Sequence, residues 1–386
     1  MQAIPIIINY LVQQSNVETR SEMKVATILG TRPEIIRLSL IIEKLDRLAE
    51  EHIVIHTGQN SVHSLKEVFF KEMGIRTPDY TLKGNTSSLG EQLSIMFKNV
   101  EQILLKHRPD RILILGDTNS ALCALLGERL NIPVTHMEAG NRCFDLNVPE
   151  EKNRKVIDAI SSYNLPYTVQ SKENLLREGF PSNRIYVTGN PIFEVLTHYK
   201  KEIERSQILH TLNLQKQDYF LVTVHRAENV DNATNLSEIL NGLSMIADQH
   251  NKRMICSIHP RTRSKLTSDQ LHQLNSLIEL HEPFGFFDFI QLEKSAFCVL
   301  TDSGTVQEEC CLFHIPAVTV RTTTERPETI SCGSNIVSGL NAKQIKEATN
   351  VMINSQRNWS FPTGYDDPDV SDRVVKFVLG GMKIVP

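Results

Sequence analysis

From Lys24 onward the chain alternates short β-branched, apolar runs with longer amphipathic stretches, and this alternation restricts it to α/β architecture with parallel sheets. Residues 24–29, 52–57, 111–115, 134–137 and 165–168 read as strands separated by helical patterns. After Gly189 a second series begins, with strands predicted at 219–224, 254–258, 298–301 and 317–320. A chain of 386 residues is also too long for one ordinary core, so two consecutive doubly wound, Rossmann-like domains are expected, with a cleft between them. Their expected spans are 23–188 and 189–365. The apolar stretch 4–12 is broken by Asn9, has no basic residue ahead of it and is too short to span a bilayer, so residues 1–22 read as an extension outside the fold.

Hydrophobic residues at 40% and charged residues at 22% place the chain among ordinary folded proteins and give no case for a membrane protein. A net charge of −4 supplies no global basic field, which argues against nucleic acid and leaves any polyanion to local Arg and His groups. Seven cysteines, an odd number without C-x-x-C spacing, fit reduced thiols in a cytoplasmic protein and offer no metal site.

Doubly wound sheets bind ligands beyond the carboxyl ends of their strands. Eight polar clusters fall at those ends: 30–34, 57–60, 116–119, 136–140, 225–229, 259–261, 302–305 and 324–328. Ser303-Gly304-Thr305, between a strand and a helix, suits a diphosphate, because small residues let the backbone approach and the helix presents its positive end. Simple capping by Ser303 and Thr305 would explain the same residues. Gly30 to Glu34 holds one glycine and is no G-x-G-x-x-G fingerprint, so NAD is disfavoured. Arg32 could pair with phosphate or sit in a surface ion pair. Glu150 and Arg154, four apart, could form only a helical ion pair. With Asp117 and Glu138 at neighbouring strand ends, however, Glu150 completes a carboxylate group suited to acid/base work. His225-Arg226 and the loop at His259 are candidates for stabilising a leaving diphosphate.

Taken in order, Gly30-Thr31-Arg32-Pro33-Glu34, Thr57-Gly58-Gln59, Gly116-Asp117-Thr118, Glu138-Ala139-Gly140, Pro149-Glu150-Glu151 with Asn153-Arg154, His225-Arg226, Thr301-Asp302-Ser303-Gly304, Gln307-Glu308-Glu309 and Thr324-Glu325-Arg326-Pro327-Glu328 are similar to the non-hydrolysing UDP-N-acetylglucosamine 2-epimerase family. The resemblance runs from about Lys24 to Phe377. It implies the glycosyltransferase-B fold, with residues 366–386 forming a helix that returns to the first domain, capped by Ser371 and stopped by Gly380-Gly381. It also implies inversion at carbon 2 of a UDP-2-acetamido sugar by elimination and re-addition of UDP, in surface polysaccharide precursor synthesis, by a homodimer needing no cofactor or metal.

The same resemblance distributes roles. Asp117, Glu138 and Glu150 would form the acid/base group, oriented by Arg154, and His225 would assist UDP departure. Arg32, Arg37, Arg226, Ser303, Gly304 and Arg326 would bind the substrate, Glu309 its ribose and Phe289 its uracil. Gln59, Arg226 and His259 match contacts to a second, activating UDP-sugar in bacterial relatives. Arg37 stands where Lys is usual, Thr305 replaces a glycine and Asn60 replaces a His. Residues 30–39, 56–60, 116–120, 136–145 and 307–311 look more like the branch that converts UDP-2-acetamido-2,6-dideoxy-L-talose to UDP-N-acetyl-L-fucosamine. A glycosyltransferase, a hydrolysing epimerase and a non-catalytic nucleotide-sugar binder are the rival readings.

Overall fold

The computed structural model describes residues 21–59, 69–82 and 88–380. Residues 1–20 of the expected extension, Asn60 and Gly381 lie outside these. The Ser21 N–H donates to Leu48 O at 2.7 Å, so Ser21 already belongs to the fold.

Two six-stranded, wholly parallel sheets define two lobes. The first comprises β1 (Lys24–Leu29), β2 (Glu51–His56), β3 (Tyr80–Thr81), β4 (Arg111–Leu115), β5 (Val134–Met137) and β6 (Tyr163–Leu165), in the order β3-β2-β1-β4-β5-β6. The second comprises β7 (Tyr219–Thr223), β8 (Arg253–Ser257), β9 (Ile278–His281), β10 (Cys298–Thr301), β11 (Ala317–Thr319) and β12 (Asn335–Val337). Read from its β9 edge, the second sheet repeats the winding of the first. Each order reverses once, between β1 and β4 and between β7 and β10, and a crevice opens at such a reversal.

The central strands are apolar throughout because helices cover both faces. In β4, Leu113 and Leu115 join Leu38 and Ile41 of the helix Arg32–Leu48, while Ile112 and Ile114 join Val100 and Leu104 of the helix Leu89–His107. The second lobe repeats this, with Phe220 and Val222 toward the helices Ala233–His250 and Ala342–Asn354, and Tyr219 and Leu221 toward Val306 and Cys310. Each such side chain fully buried contributes about 1.5–3 kcal/mol.

The last helix, Val370–Leu379, packs against Arg32–Leu48 in the first lobe through Val370, Val374 and Val378. Ser371 is not its cap: Asp369 holds that position, and Ser371 lies in the first turn, donating its N–H to Glu194 at 2.7 Å. The edge strands also differ from expectation. β6 ends at Leu165 because Pro166 has no N–H, and Thr168 instead caps the next helix by accepting from Ser171 N at 3.1 Å. The edge strands β3, β9 and β12 escape the sequence pattern, being two to four residues long and only partly buried.

Candidate active site

The carboxyl ends of β1, β4 and β5 face those of β7, β10 and β11. Beyond β1 the chain turns at Gly30, where an added Cβ would overlap Ser120 Oγ and Thr57 Oγ1, so only glycine allows this approach. Glu34 then gathers three donors: Gly30 N (2.5 Å), Thr31 N (2.8 Å) and Thr118 Oγ1 (2.6 Å). This ties the loop after β1 to the loop after β4. Burial pushes the Glu34 carboxyl up to about 7 against those three bonds, with a further push from Asp117. Gln59 braces the same turn, its carbonyl oxygen accepting from Ser120 N at 3.3 Å and Ser120 Oγ at 3.2 Å.

Asp117 follows Gly116, whose φ of +76° turns the chain into the cleft. Buried His136 fixes that turn: its Nε2–H donates to Gly116 O at 2.8 Å while its Nδ1 meets Asp158 at 2.8 Å. Arg154, on the helix Pro149–Ile160, holds Asp117 through Nε at 2.8 Å and a terminal nitrogen at 2.7 Å. Its other nitrogen donates to Glu151 at 2.7 Å. The Glu150–Arg154 helical pair allowed by spacing is therefore not made. Glu150 instead faces Arg226 of the second lobe at 3.6 Å. Burial raises the Asp117 carboxyl; Arg154 opposes this, while Glu138, Glu150 and Glu325 add to it.

Glu138 ends β5 with φ +66°, a left-handed conformation that costs a non-glycine residue energy and is characteristic of functional turns. Its carboxylate lies between Arg37 of the first lobe and Arg326 of the second, the latter at 2.6 Å. Glu308 completes a closed ring of charge, accepting from Arg37 on one oxygen and lying 2.5 Å from Arg326 Nε as an ion pair on the other. All four side chains are at least 90% buried. Burial opposes ionisation of Glu138, yet Arg326 and Arg37 outweigh it and hold the carboxyl at about 2.

In the second lobe Asp302, wholly buried after β10, accepts from His225 N (2.9 Å), Arg226 N (2.8 Å) and Asn229 Nδ2 (3.0 Å), and its other oxygen meets His225 Nδ1 at 3.2 Å. This leaves the half-exposed His225 ring without a partner for its Nε2 among the described residues. The His259 ring lies 6.3 Å from it, its Nδ1 accepting from Arg261 N at 3.2 Å. Burial, with His225, Arg32 and Arg261 nearby, pushes His259 down to about 4. Arg32 approaches from the first lobe and makes no ion pair among the described residues: its guanidinium lies over the Phe69 ring at 4.3 Å, and burial lowers it to about 10.

Ser303 occupies the N-cap of the helix Gly304–Phe313 without capping it; its hydroxyl meets Thr305 Oγ1 at 3.0 Å. The first-turn N–H groups thus keep no side-chain acceptor at the cap, which leaves them suited to an anion. A Cβ at Gly304 would stand 2.5 Å from Glu325 Oε1, so the glycine leaves room for that carboxylate. Deeper in that helix Glu309 is pushed up to about 7 by burial and by Glu308, and it faces Glu293, which is raised as well. Phe289 lies one turn before Glu293 on the helix Phe286–Ser295, half-buried between two apolar clusters.

Residues 43–379 match the protein family described as UDP-N-acetylglucosamine 2-epimerase. The chain belongs to that family. It is 42% identical to the UDP-N-acetylglucosamine 2-epimerase of Methanocaldococcus jannaschii, over 93% of this chain and all of the relative. The crystal structure of that archaeal enzyme in complex with UDP-GlcNAc and UDP superposes with a TM-score of 0.88 at the same identity and coverage. A UDP-2,3-diacetamido-2,3-dideoxy-D-glucuronate 2-epimerase of Pseudomonas aeruginosa is 34% identical over 86% of this chain and 92% of its own length. The two lobes are therefore those of a glycosyltransferase-B-like α/β fold, and the protein is an epimerase.

The structure links Asp117, Arg154, Glu150 and Arg226 through charge pairs and Arg37, Glu138 and Arg326 through another set, whereas Phe289 packs against apolar clusters and Asn60 lies outside the described residues. Four residues of the site were given no role from sequence: Glu151, Asp302, Glu308 and Glu325. All stand inside the recognised motifs, beside the chosen residues, and each is a carboxylate less than 4% exposed. Their signal was an acidic residue at a strand end or in the first turns of an inward helix; their burial belongs to the tertiary fold. No helix of the described residues is long and apolar enough to cross a membrane.

Proposed function

We propose that this epimerase inverts carbon 2 of UDP-N-acetylglucosamine, giving UDP-N-acetylmannosamine, by eliminating UDP and adding it back. The carbon-2 hydrogen is not acidic enough for simple abstraction, because no carbonyl adjoins it. Elimination avoids that barrier: the C2–H and C1–O bonds break, a C1=C2 double bond forms and UDP departs. In the return step the C1–O bond re-forms and a proton reaches the opposite face of carbon 2.

The observation that carries this reading is the placement of Asp117 beside Glu138 and Glu150, opposite His225, Arg226 and Ser303 across one gap. Asp117, raised by burial, suits a proton-transfer group. Glu138, held ionised by two arginines, suits stabilisation of positive charge developing at carbon 1. Glu150 completes the acid/base group and Arg154 orients it. His225, with Arg32 and Arg226, neutralises the departing diphosphate, while Ser303 and Gly304 offer helix N–H groups to it. Glu309 faces the ribose and Phe289 the uracil. In this reading Arg37 and Arg326 act on the sugar end through Glu138, and Gln59 and His259 line a second nucleotide-sugar position.

The lobes are read as domains at 23–188 and 189–365, with residues 366–380 returning to the first, and they close on the substrate. A cytoplasmic homodimer serving polysaccharide precursor synthesis follows from the family reading alone; the exposed Leu125, Leu146 and Val156 on the first lobe supply apolar surface for pairing. A second reading, a 6-deoxy-L-talo substrate yielding UDP-N-acetyl-L-fucosamine, draws on the sequence 136–145, where Phe144 stands 70% exposed with φ +58°. Incubation of purified protein in deuterium oxide with each UDP-sugar in parallel tests both readings. One deuterium at carbon 2 of recovered UDP-sugar is expected. Epimerised product without deuterium defeats the elimination route, free sugar with UDP indicates hydrolysis, and turnover only with an acceptor indicates a glycosyltransferase.

A further inference from the structure

Glu325 stands in the loop between β11 and the helix Pro327–Ser331, 3% exposed and surrounded by guanidinium groups. Arg321 donates to it at 2.8 Å and Arg226 lies at 3.2 Å, both from its own lobe. A third contact crosses the cleft: Arg154 of the first lobe lies 3.8 Å away. Arg154 is the residue that grips Asp117 at 2.7 Å. The missing side chain of Gly304 makes room for this carboxylate. Glu325 and Asp117 therefore compete for one guanidinium, from opposite lobes.

We propose that Glu325 is a positioning residue that couples the approach of the two lobes to the basicity of Asp117, by drawing part of the Arg154 charge away from it. The proposal rests on the reading of Asp117 as the proton-transfer group. Its physics is Coulombic. A carboxylate facing Arg154 from the far lobe weakens the hold of that cation on Asp117 and adds negative potential at the same place; both effects make Asp117 a better proton acceptor. If the lobes separate, the Glu325 contact is lost while Arg154 stays with Asp117 and Glu151, which belong to its own lobe. Asp117 is then more basic when the second lobe is in place than when it is not.

The charged groups facing Asp117 are Arg154 and Glu150 from the helix Pro149–Ile160, Glu138 beyond β5, Glu34 from the helix Arg32–Leu48, and Arg226 and Glu325 from the second lobe. Among these, Glu325 alone joins Arg154 to the second lobe by an ion pair. It remains ionised, because Arg321, Arg226, Arg154 and Arg326 together overcome its burial.

The test is the pH profile of kcat/KM for the full-length protein, with carbon-2 deuterium exchange as the readout. Glu325→Gln removes the competing charge, so the acidic limb is expected to move to lower pH by about half to one unit, with a lower plateau. Glu325→Asp keeps the charge and restores the limb to the wild-type position. Arg321→Gln, outside the proposed machinery, frees Glu325 toward Arg154 and moves the limb to higher pH. An unmoved or upward limb in folded Glu325→Gln overturns the coupling. Should Glu325→Gln fail to fold by circular dichroism, an unmoved or downward limb in Arg321→Gln overturns it instead. A wild type that exchanges carbon 2 while either variant fails leaves the functional reading intact; a wild type without exchange removes both.

Discussion

The Arg326 guanidinium donates to the Glu138 carboxylate at 2.6 Å, joining residues 188 positions apart and on opposite lobes. With Arg37 and Glu308 it forms a buried ring of alternating charge. Such a ring tolerates no missing member, because removing one partner leaves an uncompensated buried charge. Glu308→Gln is expected to destabilise the protein by about 3–5 kcal/mol, read as a fall in the urea midpoint. A loss below about 1 kcal/mol would show that the ring is not sealed from water.

Asp117→Asn preserves the shape of the site but not its proton chemistry. Carbon-2 exchange is expected to fall by about 10²–10⁴, the usual contribution of one acid/base group, while UDP affinity measured by calorimetry stays near wild type. Unchanged exchange would remove Asp117 from the mechanism.

Glu34 supplies a signed pH prediction. Its folded carboxyl sits at about 7 against an ordinary value of 4.5, so the folded state binds that proton more tightly. Stability from this group is greatest below pH 4.5 and declines as pH rises toward 7. Glu34→Gln can accept from Gly30 and Thr31 and donate to Thr118 without ionising. Between pH 5 and pH 8 the wild type should lose on the order of 3 kcal/mol more than the variant in urea titrations. Parallel losses would place the Glu34 carboxyl in its ordinary range.

His259, at about 4, is neutral at pH 5.5 in the free protein. A diphosphate beside it would raise that value, so UDP binding at pH 5.5 should take up protons. Calorimetry in buffers of different ionisation heat measures the uptake, which should shrink in His259→Gln. Equal uptake in both proteins would place the diphosphate elsewhere.

Gly30→Ala drives a methyl group into Ser120 and Thr57. Loss of carbon-2 exchange by more than about tenfold is expected, since a small displacement of an acid/base turn is enough for such a loss. Adding Ser120→Ala should recover part of it. Full activity in the single variant would mean that the turn is pliable.

Much of this was legible in the chain itself. The cores of β1, β4, β5, β7, β10 and β11 stood out because a strand buried on both faces must be apolar along its length, and that requirement is written locally. The polar residues after those strands stood out for the complementary reason, since polar clusters following apolar runs have to lie at a sheet rim. β3, β9 and β12 did not stand out, because a short edge strand is held by one neighbour's hydrogen bonds and needs no pattern of its own.

Partner choice was decided only by the tertiary fold. Helical spacing offered Arg154 to Glu150, yet Arg154 took Asp117 and Glu151, and Glu150 turned to Arg226 across the cleft. Spacing along a helix fixes which groups are able to meet. Which do meet depends on what the opposite lobe presents and how much water is excluded, because the strength of every charge pair is set by that burial. The residue types, the windings and the rim came from sequence; the Arg37–Glu138–Arg326–Glu308 ring, and the sharing of Arg154 between Asp117 and Glu325, exist only where two lobes enclose them.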